Sequence, residues 1–240
     1  MDPLSLKKVN EERRNRRAVI LLTDLGDGRD RVIREGDAIP GVLGEAIDKA
    51  FRTGKSGTVE IGDNRFFLNV HVPPARIVVI GAVHISQALA PIAAIAGFDL
   101  EVIDPRTAFA TPERFDGVNL HADWPEDVLK TQPLDRDTAL AAVTHDPKID
   151  DFPIAEALRT GCFYVGALGS RKTHAKRCER LQAMGIPDDA ISRIAAPIGL
   201  DIGASSPAEI AVAVMAEIIS SFRKRELGAT GKAVAETATP

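Results

Sequence analysis

The run Ile77-Val78-Val79-Ile80-Gly81-Ala82-Val83-His84-Ile85-Ser86 decides the fold. Four consecutive β-branched residues read as a strand buried on both faces, the pattern of a parallel sheet. The glycine that follows opens a six-residue turn that in dinucleotide-binding proteins reads G-x-G-x-x-G. There the second glycine lets backbone approach a pyrophosphate and the third allows close helix-to-strand packing. In this chain those two positions are Val83 and Ser86. A side chain at Val83 stands where a pyrophosphate would lie, so the frame reads as nucleotide-binding and the site as altered.

Downstream the pattern alternates strand and helix, with strands expected at 76–80, 100–103, 118–120, 139–144, 163–165 and 193–196. That alternation implies a doubly wound, mostly parallel Rossmann-like sheet with helices on both faces, spanning residues 76–225. A helix over 85–96 ends at Gly97 and should be kinked by Pro91. In Ser206-Pro207-Ala208-Glu209 an N-cap serine, a first-turn proline and a capping-box glutamate open the last helix. Ile210, Val214, Ile218 and Phe222 give that helix a core-facing stripe.

Upstream, Val72-Pro73-Pro74-Ala75 marks a connector, because paired prolines continue neither ladder nor helix. Residues 18–72 read as a small α+β region. It has a strand at 18–23, a helix over 42–51 with Val42, Ala46, Ile47, Ala50 and Phe51 on one face, and a stop at Gly54. A hairpin then joins 59–61 to 66–70 around Gly62-Asp63-Asn64-Arg65. Residues 1–17 carry Lys7, Lys8, Arg13, Arg14, Arg16 and Arg17 among Glu11 and Glu12, and are expected to be a flexible basic end or a solvated helix. Residues 226–240 are expected to be a disordered tail.

Composition sets the broad class. The 240 residues are 45% hydrophobic with a net charge of −4 and a pI near 5.8, enough for a sizeable core and ill suited to general nucleic-acid binding. No apolar run approaches the ~18 residues of a membrane span and no secretion signal opens the chain, so a soluble, cytoplasmic protein is expected. Cys162 and Cys178 suggest neither a disulfide framework nor a zinc site; both are expected to be packing or surface thiols, and no metal site is expected.

In a parallel sheet of this kind ligands gather at the carboxyl ends of the strands. Asp104 lies 23 residues beyond Gly81, where an acid takes ribose hydroxyls in nicotinamide proteins, or it simply starts a turn with Pro105. Arg106 is placed to pair with a phosphate. His145 and Asp146 follow an apolar strand and suit acid–base work, or else turn and capping duty shared with Asp150 and Asp151. Gly169-Ser170-Arg171-Lys172 precedes a helix and offers backbone donors, a positive dipole and two cations for an anion. The glycine-rich loop 198–206 holds Asp201, a candidate contact for a polar ring edge or part of a plain connection.

At these residues the chain resembles the XdhC/CoxI family, accessory proteins that mature xanthine dehydrogenase and other molybdenum hydroxylases. The resemblance rests on Gly81-Ala82-Val83-His84, Val102-Ile103-Asp104-Pro105-Arg106, Thr144-His145-Asp146, Gly166-Ala167-Leu168-Gly169-Ser170-Arg171, Gly199-Leu200-Asp201-Ile202-Gly203 and Ser206-Pro207-Ala208-Glu209-Ile210-Ala211, in that order. It implies a cofactor-binding chaperone rather than a turnover enzyme, one that binds molybdenum cofactor transiently, supports its sulfuration and delivers it to an apo-enzyme. The implied partners are an apo molybdenum hydroxylase, a cysteine desulfurase, a separate XdhC-type N-terminal chain and a second copy of this chain, with no nucleic acid and no membrane. The family's first region often carries a Gly-Gly-Cys-Glu turn, whereas residues 1–75 hold no cysteine; this looks like a short N-terminal branch. On this reading Gly81, His84, Asp104, Arg106, Gly169, Ser170, Arg171, Lys172 and Asp201 bind the cofactor and His145 and Asp146 handle it. The alternatives are an NAD(P)-dependent oxidoreductase and a non-catalytic nucleotide-sensing or docking module.

Overall fold

The computed structural model describes residues 2–235, with side chains described through Arg225. The chain divides into two compact units, one holding the residues up to Pro73 and one holding Pro74–Arg225.

In the first unit, α1 (Pro3–Arg14), β1 (Val19–Asp24), β2 (Asp30–Arg34), α2 (Gly41–Thr53), β3 (Gly57–Ile61) and β4 (Asn64–His71) follow one another. The strands form an antiparallel sheet in the order β2-β1-β4-β3. Successive side chains of a strand face opposite ways, so β1 serves two layers: Ile20 and Leu22 pack with Ile47, Ala50 and Phe51 of α2, and Val19 and Leu21 pack with Val9 of α1. Of the two forms expected for the N-terminal segment, the helix is the one observed, and its Val9 packs on the sheet. Its Glu12 is 1% exposed and takes Arg17 Nε and Arg34 Nε as ion-pair partners, which is why its charge can be buried. Val42, expected on the core face of α2, is exposed; it lies in the first turn, and the buried stripe starts at Gly44.

The second unit holds β5 (Arg76–Ile80), α3 (His84–Ile95), β6 (Asp99–Ile103), β7 (Asn119–His121), α4 (Pro125–Thr131), β8 (Thr138–Ala142), α5 (Pro147–Arg159), β9 (Tyr164–Ala167), α6 (Arg171–Ala183), α7 (Asp188–Ile191), β10 (Ile194–Ala195) and α8 (Pro207–Ala235). The parallel order β10-β9-β8-β5-β6-β7 is the doubly wound order in which the chain winds outward first to one side of β5, then to the other. Every residue of β5 and β8 is buried. Val78, Ile80, Leu140 and Ala142 face one core with α4, α5 and α6, and Ile77, Val79, Ala139 and Ala141 face another with α3 and α8. Helix α3 runs through Pro91 to Ile95. Helix α8 continues to Ala235, across the first ten residues of the segment expected to be disordered; residues 236–240 lie outside the described residues. No described helix is long and apolar enough to cross a membrane.

Candidate functional site at the carboxyl edge of the parallel sheet

Strand order places the switch point between β5 and β8, where successive connections leave in opposite directions; parallel sheets of this kind take ligands in the crevice beyond the strand ends at such a point. Gly81 leaves β5 at φ +120°, and a Cβ there would meet Thr144 Cγ2 at 2.8 Å. Only glycine fits, because the exit of β8 presses against it.

The turn after β5 is tied shut from within. The Ala82 N–H donates to Asp104 Oδ2 (2.7 Å). The Val83 N–H donates to Ser86 Oγ (2.9 Å), whose hydroxyl donates in turn to the Gly81 carbonyl. Asp104 is fully buried and also accepts the Arg106 N–H and Nε on Oδ1 and the Arg106 Nη2 on Oδ2. Four donors fill the four lone-pair positions of the carboxylate. Burial opposes the charge on Asp104, but Arg106 and the amides of Ala82 and Arg106 outweigh it and hold the carboxyl below its usual range. The expectation that Asp104 takes ribose hydroxyls is corrected on this ground: no lone pair remains for a ligand.

Arg106 gains what Asp104 gives up. Its Nε and Nη2 are clamped by the carboxylate, the guanidinium lies 4.7 Å over the Phe109 ring, and the side chain remains 30% exposed. Nη1 is left for an anion. Asp146 and Asp150 add to the negative field on Arg106, which puts the ends of β6 and β8 within electrostatic reach of each other. Arg114, not singled out in the sequence, closes the same loop by donating to the Ala82 and Phe109 carbonyls and to Gln87 Oε1.

Across the crevice, His145 adopts φ +65°, a conformation that costs a non-glycine residue about 1–3 kcal/mol. Its ring is exposed. Asp146 caps α5 by accepting the Lys148 N–H, and its own N–H donates to Thr144 Oγ1. Thr144 donates to Asp150 Oδ1 at 2.7 Å. Asp150 is 1% exposed and its Oδ2 has no hydrogen-bond partner; burial pushes its carboxyl up to about 6. The cap therefore falls to Asp146, and Asp150 is a buried acid rather than a cap. The sequence signal for it was only a second carboxylate after the strand.

The remaining candidates lie further along the edge. His84 is exposed in the first turn of α3. Ser170 caps α6 by accepting the Thr173 N–H, which leaves Arg171 and Lys172 exposed at the helix start. Gly169, at φ +136°, brings the turn against Thr173. Asp201 is exposed in the loop after β10. That loop is pinned by Glu217, which accepts the Gly199 N–H and the Tyr164 hydroxyl. At about 4.8 Å per strand step, β9 and β6 are roughly 14 Å apart and β10 and β6 roughly 19 Å. The structure thus places Gly81, His84, Asp104, Arg106, His145 and Asp146 at the ends of the three adjacent strands β8, β5 and β6, sets Gly169–Lys172 to one side, and leaves Asp201 beyond them.

Comparison with known proteins agrees with this frame. A family model described as the XdhC Rossmann domain matches residues 77–218. A protein of Bacillus subtilis (strain 168) described as a probable xanthine dehydrogenase subunit is 37% identical over 158 residues, 64% of this chain and 44% of that protein. "Molybdenum cofactor insertion chaperone PaoD" of Escherichia coli (strain K12) is 30% identical over 149 residues, 62% and 40% respectively. "Uncharacterized protein YqeB" of the same strain is 30% identical over 175 residues, 70% and 32%. The chain therefore spans less than half the length of these relatives. Among solved structures, a xanthine dehydrogenase from Bacillus halodurans aligns with a TM-score of 0.60 at 24% identity, over 92% of this chain and 65% of that one, a likeness of fold.

Proposed function

Because this chain belongs to the XdhC family, we propose that its carboxyl-edge crevice carries molybdenum cofactor as cargo for an apo molybdenum hydroxylase. The observation that carries the reading is the trade made by Asp104. It consumes the turn amide of Ala82 and in exchange fixes Arg106 with Nη1 open. A dinucleotide needs that turn for its pyrophosphate, so the same trade argues against NAD(P) as the ligand. A pterin bearing a terminal phosphate needs an anion site and polar groups for a flat heterocycle instead. Arg106 stacked on Phe109 supplies a planar cation, the start of α6 with Arg171 and Lys172 supplies an anion site, and His145 and Asp146 line the space between.

The cargo would bring its own sulfur and redox chemistry; this chain's residues would bind, orient and release it. Support for sulfuration, with a cysteine desulfurase as donor, belongs to the same proposal. So do docking to the hydroxylase, to a separate XdhC-type N-terminal chain and to a second copy of this chain, in the cytoplasm. The named relatives support it: one is called a molybdenum cofactor insertion chaperone and another a probable xanthine dehydrogenase subunit.

The test is retention of pterin by protein expressed in a cofactor-producing host. Arg106→Ala and the pair Arg171→Ala with Lys172→Ala should each release the pterin from a folded protein. Retention at the wild-type level in both would remove the crevice from the site.

A further inference from the structure

Helix α6 carries a thiol–imidazole couple that the sequence did not disclose. His174 and Cys178 are four residues apart, one above the other on the helix, with His174 Nε2 3.5 Å from Cys178 Sγ. Between them in sequence, Arg177 is 2% exposed. Its Nη2 donates to the Leu168 carbonyl, while Nε and Nη1 have no partner. Arg177 feels the charge of Cys178 as well as those of Asp150 and Asp151, so an unspent buried guanidinium lies within electrostatic reach of the thiol. Burial and the neighbouring Arg177 hold the His174 imidazole below its usual range, which keeps it neutral, with a ring nitrogen free to take a proton, near pH 7. Cys178 is half-buried, whereas the other cysteine, Cys162, is fully buried, and burial pushes its thiol up to about 11. Thiolate character and access together decide which cysteine reacts. The two thiols differ in access, and Cys178 has the His174 imidazole beside it.

We propose that Cys178 is an acceptor of sulfane sulfur, taking the terminal sulfur of a cysteine persulfide on a donor protein with His174 as base and Arg177 as counter-charge. The inference rests on the reading of this chain as a cofactor-maturing protein, which supplies the persulfide as co-reactant. In the step, His174 Nε2 removes the Cys178 thiol proton and Sγ attacks the terminal sulfur of the donor. The donor's S–S bond breaks, its thiolate leaves and takes a proton, and Cys178 becomes a persulfide with no net oxidation. The buried Arg177 guanidinium, within electrostatic reach, offsets the charge of the anionic terminal sulfur.

The full chain is incubated with glutathione persulfide, trapped with iodoacetamide and read by peptide mass spectrometry. Cys178 should gain one sulfur and Cys162 none, Cys178→Ser should abolish uptake, and His174→Gln should slow it about a hundredfold, the scale of a lost general base. No sulfur on Cys178, equal labelling of both cysteines, or uptake by a folded His174→Gln protein at the wild-type rate would overturn the proposal. Pterin retention measured on the same preparation separates the two readings. Pterin without sulfur uptake defeats this inference, and sulfur uptake without pterin defeats the cargo reading beneath it.

Discussion

Asp104 and Ala82 are joined across two adjacent parallel strands: the carboxylate at the end of β6 accepts the backbone N–H of the turn that leaves β5, at 2.7 Å. One side chain thereby fixes the turn, neutralises its own burial with Arg106 and shapes the cation that faces the crevice. Removing it should cost structure as well as function. Breaking a buried ion pair from one side costs about 3–5 kcal/mol, so Asp104→Ala should lower unfolding free energy by about 3 kcal/mol in a urea titration at pH 7. The pH dependence has a definite sign. The folded carboxyl is held below its unfolded value, so its contribution is present above the unfolded range and lost as pH falls through the lower folded value. A wild-type minus Asp104→Ala stability difference that stayed constant between pH 7 and pH 2 would contradict this role.

Asp150 should behave oppositely. Its folded carboxyl is pushed up to about 6 by burial, above the unfolded value, so the folded state binds the extra proton and stability declines as pH rises from about 4 to 6. An upward shift of about two units corresponds to about 3 kcal/mol. Asp150→Asn keeps an oxygen for the Thr144 hydroxyl and carries no charge. Its stability relative to wild type should therefore be greater at pH 7.5 than at pH 4 by a few kcal/mol; equal differences at the two pH values would show that Asp150 titrates as an ordinary surface acid.

Restoring the missing glycine should not restore a dinucleotide site. Val83 occupies the position of the second glycine, but its N–H already serves Ser86 and the Ala82 N–H already serves Asp104. Val83→Gly should leave reduced-nicotinamide binding, followed by fluorescence, as weak as in wild type. A gain of tenfold or more would mean that the side chain alone blocks the site.

The sheet was legible because its signals are local. Ile77-Val78-Val79-Ile80 lies buried in β5 as its branching requires. The glutamate of Ser206-Pro207-Ala208-Glu209 accepts the N–H groups of Ser205 and Ser206 and the Ser206 hydroxyl accepts the Glu209 N–H, the reciprocal cap that the spacing implied. The site was less legible because the direction of a side chain is a tertiary fact. Asp104 has the spacing of a ribose ligand, yet its carboxylate folds back onto backbone amides. Asp150 reads as a cap and is a buried acid. His174 and Cys178 carry no motif that marks them apart from any histidine and cysteine on a polar helix. The docking of α1 rests on Val9 and Glu12, one apolar and one acidic residue among cations, too sparse a stripe to read as an amphipathic face.

His145 and Asp146 divide structural from functional duty in a way that substitution can separate. Asp146 caps α5, so Asp146→Asn, an equally good cap, should leave the melting temperature unchanged, while Asp146→Ala should cost about 1 kcal/mol. His145 holds a left-handed conformation that glycine adopts freely. Relief of about 1–3 kcal/mol of backbone strain offsets the roughly 0.5–1 kcal/mol of extra unfolded-state entropy that a glycine brings. His145→Gly should therefore melt at or slightly above the wild-type temperature. In a co-expression assay with a client molybdenum hydroxylase, however, it should activate the client less well, because the exposed ring at the switch point is gone. A His145→Gly protein that is more stable and equally competent would reduce His145 to a strained turn residue and leave Arg106, Asp146 and the start of α6 to meet the cargo.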